Sequence, residues 1–194
     1  MSAHNNPVPP GYRDLSMPFE RLVLPANLLG VAMMIAPLAL FVALHSWSRL
    51  VEMPWPLGVA VLVLVGGLFA LTVAHEWLHG ATWVIAGGLG WSAVSFGMKW
   101  NTLTPYAHIN APVTARAYRL GAAMPGLVLG VLPAILALIT GSGWIMLLAA
   151  AMIGGAVGDL IVLWVIRRVP PGALVVDHPS AVGCFVQEDV VSSP

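Results

Sequence analysis

Two histidines four residues apart, with a glutamate directly after the first, lie in a long apolar run as His75-Glu76-Trp77-Leu78-His79-Gly80. Four residues is just over one helical turn, so both imidazoles occupy one helix face and can reach a single zinc ion. Glu76 points about 100° around the axis from His75. From there its carboxylate can act on a water held by the ion without binding the metal itself. The chemistry of this spacing is hydrolysis, with Glu76 taking a proton from water and returning it to a leaving amine. The competing reading is a pair of histidines packed in a helical core.

A catalytic zinc ion commonly uses three protein ligands and one water. Cys184 is the single cysteine, which excludes a multi-cysteine cluster and an intramolecular disulfide. Between Met53 and Val176 the only acidic residues are Glu76 and Asp159. Both fall in apolar runs, where an ionisable group costs at least about 2.5–3.5 kcal/mol at a bilayer centre and needs a partner. Asp159 also follows Gly154, Gly155 and Gly158, small residues that let membrane helices approach closely. The expected ligand set is therefore His75, His79 and Asp159, with Zn2+ as cofactor. The alternative for Asp159 is a helix-capping or interhelical hydrogen-bonding acid.

The elements that must position these residues are set by composition. The 194-residue chain is 59% hydrophobic and 8% charged, with a mean hydropathy of +0.89. Ordinary soluble domains carry about 25% charged residues, so the expected class is an all-α polytopic membrane protein whose partner is the lipid bilayer. Net charge is zero and the basic residues are scattered, which argues against nucleic acid as a partner. No run resembles a cleavable signal peptide.

Residues 1–26 carry Pro7, Pro9, Pro10, Pro18 and Pro25 and read as a flexible segment, with one interfacial turn around Phe19–Leu24. Four spans are expected over about 27–44, 57–87, 120–140 and 144–166. Pro37 bends the first, and Pro125 and Pro133 bend or break the third. Residues 88–114, rich in glycine and β-favouring residues, read as a short hairpin or re-entrant loop between the second and third spans. Residues 169–194 form a C-terminal tail. With four spans, Arg13, Arg21, Lys99, Arg116, Arg119, Arg167 and Arg168 share one side and only Arg49 lies on the other, so both termini are expected in the cytoplasm. His79 and Asp159 each stand eight residues from that side, about 12 Å at helical rise. The metal ligands thus fall at one depth.

Outside the spans, His108 in Thr104-Pro105-Tyr106-Ala107-His108 is a further candidate catalytic residue. It could bind metal, donate to an oxyanion or orient a substrate. Asn101 and Asn110 could bond a substrate strand added along the hairpin edge. Asp177-His178 could make a second metal site, although such a pair before proline more often forms a turn. Cys184 is expected to be inert.

The motif HEWLHG in one span and a Gly-Asp element in a later one resemble intramembrane zinc metalloproteases of the site-2 protease type. More closely, the chain resembles a family of small bacterial membrane proteins described as putative zincin peptidases. That resemblance runs over most of residues 60–185 and is carried by Phe96–His108 (FGMKWNTLTPYAH), Arg116–Gly130 (RAYRLGAAMPGLVLG), Gly158–Pro170 (GDLIVLWVIRRVP) and Val176–Val186 (VDHPSAVGCFV). It implies a zinc-dependent endopeptidase of membrane-spanning or membrane-proximal peptides, placed in a bacterial cytoplasmic membrane. In one respect the chain departs from the site-2 pattern: Asp159 is followed by Leu160, where those proteases usually have Asp-Gly. The implied alternative is a membrane protein that binds metal without cleaving anything.

Overall fold

The computed structural model describes residues 8–100, 104–178 and 181–188. In chain order, strand β1 (Tyr12–Asp14) precedes the long helix α1 (Phe19–His45), and the short α2 (Trp47–Val51) leads to α3 (Leu57–Gly87). A hairpin of β2 (Val94–Lys99) and β3 (Thr104–Ile109) follows, then the two-residue β4 (Val113–Thr114). The third long helical run is α4 (Ala115–Pro125), a π-helical stretch (Gly126–Val131) and α5 (Leu132–Thr140). The fourth consists of α6 (Gly143–Gly155) and α7 (Val157–Val165), and β5 (Leu174–Asp177) and β6 (Cys184–Gln187) close the chain.

Local chemistry accounts for the breaks in these runs. α3 contains no proline and ends where Gly88 turns left-handed at φ 64°, its N–H donating to the Val84 carbonyl. In the third run Pro133 has no N–H to give the Leu129 carbonyl, and the turn before it widens so that Leu132 N–H reaches Leu127. In the fourth run Gly154 and Gly155, the weakest helix formers after proline, precede a break at Ala156. The restart places Asp159 in the first turn of α7.

Four helical runs, Arg21–His45, Leu57–Gly87, Ala115–Thr140 and Gly143–Val165, are long and apolar enough to cross a membrane. Their outward faces stay apolar, with Leu28, Leu62, Val65, Phe69 and Ile139 exposed. Glycines bring the helices together. A Cβ on Gly30 would stand 2.9 Å from the Gly154 carbonyl oxygen, and one on Gly154 would stand 2.8 Å from that of Gly30, so α1 and α6 cross there. One apolar cluster, including Phe41, Leu50, Ala137 and Met146, fills the end of the bundle near α2. A second, including Trp83, Ile109, Tyr118, Ile166 and Val175, fills the opposite end.

A four-stranded antiparallel sheet in the order β1-β6-β5-β4 covers that opposite end. Its register pairs Tyr12 with Gln187, Val175 with Val186 and Val113 with Val175. This corrects the all-α expectation: the chain is mostly helical, with two small antiparallel sheets. The hairpin expected between the second and third spans is β2–β3, pairing Val94 with Ile109 and Phe96 with Ala107. Tyr12–Asp14, read as part of a flexible segment, is an edge strand, and the expected turn around Phe19–Leu24 opens α1.

The third run begins at Ala115 rather than near residue 120. Thr114 caps it by accepting the Ala117 N–H, and the Arg116 and Arg119 side chains had hidden the start from hydropathy. α3 covers the expected range. At the α2 end, a Cβ on Gly143 would collide with the Arg49 and Leu50 carbonyls. Gly143→Ala should therefore cost about 1–3 kcal/mol, read as a lowered unfolding midpoint in detergent, whereas Gly66→Ala, with open space around its Cβ, should not.

Candidate metal centre

α3 carries His75 and His79 one turn apart, 8% and 6% exposed, with ring centroids 4.8 Å apart and nearly perpendicular planes. The carboxylate of Asp159 meets both. Oδ2 lies 3.1 Å from His75 Nε2, and Oδ1 lies 3.2 Å from His79 Nε2. His79 Nδ1 is 2.9 Å from the Gly121 carbonyl, which can only accept, so Nδ1 carries a proton and Nε2 is the nitrogen turned to Asp159. Among the described residues, Asp159 Oδ2 and His75 Nδ1 are buried without a hydrogen-bond partner. Oδ2 is thus at contact distance from an imidazole nitrogen yet out of hydrogen-bond alignment. A buried carboxylate oxygen and two imidazoles converging in this way form a donor set that fits a divalent cation.

Glu76 belongs to the same cluster, since donor atoms of His75, Glu76 and His79 all lie within 4.8 Å of one another. Its Oε2 accepts the Ala107 N–H at 2.7 Å, which fixes the carboxylate against strand β3. Of the two acids beside the histidines, Glu76 is therefore engaged by backbone, and Asp159 presents the unpartnered oxygen.

Small residues set these distances. A Cβ on Gly80 would stand 2.5 Å from the Phe96 ring, so the glycine ending HEWLHG lets the hairpin lie directly on α3. A Cβ on Gly121 would collide with the Trp83 indole. With hydrogen there instead, α4 comes close enough for the Gly121 carbonyl to reach His79. Behind His79, Trp83 stacks on its ring at 5.4 Å, and Tyr118 stacks on Trp83 at 5.8 Å. The second histidine is thereby held by an aromatic column as well as by its hydrogen bond.

His108 follows Ala107 on β3, but its contact is with the C-terminal sheet. Nδ1 lies 2.9 Å from Asp177 Oδ2, and Tyr118 OH donates to Asp177 Oδ1 at 2.6 Å. The Asp177 carboxylate raises the His108 pKa, partly offset by burial. Asp177 and His178 do not act as a pair: Asp177 serves His108 and Tyr118, whereas buried His178 accepts the Ala181 N–H. Asn110 donates to Ser95 Oγ across the hairpin, and Asn101 lies outside the described residues. Cys184 is buried, which pushes its thiol pKa up to about 12 and leaves it unreactive. Sequence reasoning missed Gly121, Ala107 and Tyr118, and it named Asp177 only as a partner of His178 rather than of His108 and Tyr118. The first two act through backbone atoms, which no residue type advertises.

Residues 68–174 match the model of the family described as "Putative zincin peptidase". The chain belongs to that family. The matched stretch is more than half of the chain and contains His75, Glu76, His79, His108 and Asp159 but stops short of Asp177. The zincin peptidase description implies a metal cofactor, and the cluster on α3 is the group of residues that could hold one. No curated protein and no solved structure matches the chain.

A histidine whose folded pKa is raised contributes stability that is fully present below its unfolded pKa of about 6.5. That contribution is lost as pH rises through the folded value. In NMR titrations His108 should therefore titrate above about 6.5, and Asp177→Asn should bring it back down. An unchanged His108 titration in that variant would show that the contact does not set its charge.

Proposed function

We propose that the protein is a zinc-dependent endopeptidase that cleaves peptide bonds within or next to a membrane. The observation carrying this reading is the Asp159 carboxylate meeting both α3 imidazoles, with Glu76 in the same buried cluster. His75 Nε2, His79 Nε2 and a carboxylate oxygen of Asp159 would hold the ion. When bound, zinc would supply Lewis-acid activation of a water and polarisation of a peptide carbonyl.

The remaining steps belong to the protein. Glu76, oriented by Ala107 N–H, takes the proton from the attacking water and delivers it to the leaving nitrogen. Gly121 keeps His79 in the tautomer whose Nε2 can ligate. His108, held by Asp177 beside the same hairpin strand, serves as a donor to the negative charge developing on the carbonyl oxygen. In this arrangement two histidines of one helix and an acid of a later helix share one site, as in site-2 protease-type enzymes.

In this reading the site lies inside a bilayer and takes its water from the end that carries the sheet; the four apolar runs, long enough to cross a membrane, support it. That end is cytoplasmic in this reading, because Arg13, Arg21, Arg116, Arg119, Arg167 and Arg168 flank it while Arg49 sits at the other. A second reading, metal binding without cleavage, draws on the bond from Ala107 to Glu76, which ties up one oxygen of the proposed base.

Glu76→Gln separates the two readings. In proteoliposomes with single-span peptide substrates, it should keep wild-type zinc content while cleavage falls by about 10²–10⁴-fold. Retained cleavage would exclude Glu76 as the base. Stoichiometric zinc in the wild type with no peptide cleaved would favour the non-catalytic reading.

A further inference from the structure

α1, α3, α6 and the start of α7 line a partly open cavity of about 490 Å³, and His75 and Glu76 form part of its wall. It runs from Ala26 to Met34 along α1 and from Leu68 to Glu76 along α3. Eight residues of helical rise in each make it about 12 Å long. Thr72 also faces it, but the Thr72 hydroxyl donates to the Leu68 carbonyl and is spent within its own helix. Polar groups therefore gather at the end where the proposed chemistry takes place, and the rest of the wall is mostly aliphatic or glycine. An apolar chamber with a few convergent polar groups is the usual form of a ligand site.

We propose that this cavity is the side-chain pocket of the peptidase, receiving one or two large apolar side chains beside the scissile bond of a membrane-embedded peptide. The proposal rests on the reading of Glu76 as the base. A peptide fits better than a lipid chain because of what borders Glu76. Ala107 N–H points away from β2 and is held by Glu76, and Pro105 has no N–H. The free edge of β3 therefore lies beside the catalytic carboxylate and turns the Pro105 and Ala107 carbonyls, rather than free N–H groups, to a substrate. An extended peptide along that edge donates its own N–H groups to these carbonyls while alternate side chains project from it. Glu76, which touches β3 and lines the cavity, is the point at which one such projection would enter.

Gly155 sets the size of the pocket. It lines the cavity, and a Cβ built on it meets no atom within 4 Å. Gly30 and Gly154 line the same cavity but are committed to the crossing of α1 and α6. A side chain at residue 155 can therefore fill the pocket without disturbing the helix contacts. Gly66 has equally open surroundings but lies outside the cavity, which makes Gly66→Leu the matched control.

The test uses full-length protein in proteoliposomes and two single-span peptides, with Leu or Ala beside the cleavage site. Gly155→Leu should keep wild-type zinc content and lose at least about tenfold in kcat/KM on the Leu peptide, with a smaller loss on the Ala peptide. Gly66→Leu should match wild type on both. Equal cleavage of both peptides by wild type and Gly155→Leu would overturn the pocket assignment. A binding arm keeps this distinct from failure of the peptidase reading. In the Glu76→Gln background, a diazirine-bearing Leu analogue in the peptide should crosslink to α1 or α6 cavity residues, and Gly155→Leu should abolish the crosslink. Labelling of those residues by a diazirine phospholipid but not by the peptide would overturn the proposal in favour of a lipid occupant.

Discussion

The arrangement depends on one buried carboxylate. Asp159 sits in an otherwise apolar bundle, and an ionised acid without a partner there is too costly to retain. The structure gives it two imidazoles from a different helix, at 3.1 and 3.2 Å. Much of the surrounding architecture makes that meeting possible. The break at Ala156 restarts the helix so that Asp159 falls in a first turn. The glycine contact between α1 and α6 brings the preceding helix close, and Gly121 brings α4 against His79. Together these features let polar groups find one another inside a bundle of apolar helices.

The two small sheets serve the same cluster. Gly80 and Phe96 seat the hairpin on α3, and the hairpin in turn supplies the Ala107 N–H that orients Glu76. The four-stranded sheet ties the two ends of the chain together and carries Asp177, which holds His108 and Tyr118. Tyr118 backs Trp83, and Trp83 backs His79. A continuous series of contacts therefore links the C-terminal strands to the second histidine of the motif.

How much of this was legible in the sequence follows from the range of each interaction. HEWLHG is local, and a four-residue spacing states its geometry directly. Asp159 was legible because an acid in an apolar run has few possible roles and Glu76 was the only other one. The span of α3 was legible from its unbroken apolar length. The start of α4 was not, because hydropathy marks where a bilayer ends and not where a helix begins. Nor was the sheet: Tyr12-Arg13-Asp14 has no alternation to announce a strand, and its partner lies at the far end of the chain. The pairing of His108 with Asp177 and the carbonyl of Gly121 were hidden for the same reason, since both are contacts between distant segments.

The central claim is that His75, His79 and Asp159 converge on one zinc ion with an open position. X-ray absorption at the zinc edge of the purified protein tests it most directly. The account predicts a four-coordinate ion with two imidazole nitrogens at about 2.0–2.1 Å, oxygen ligands at about 2.0–2.2 Å and no sulfur, and a loss of that signal in Asp159→Ala. An unchanged spectrum in Asp159→Ala, or a zinc ion with fewer than two imidazoles, would contradict it.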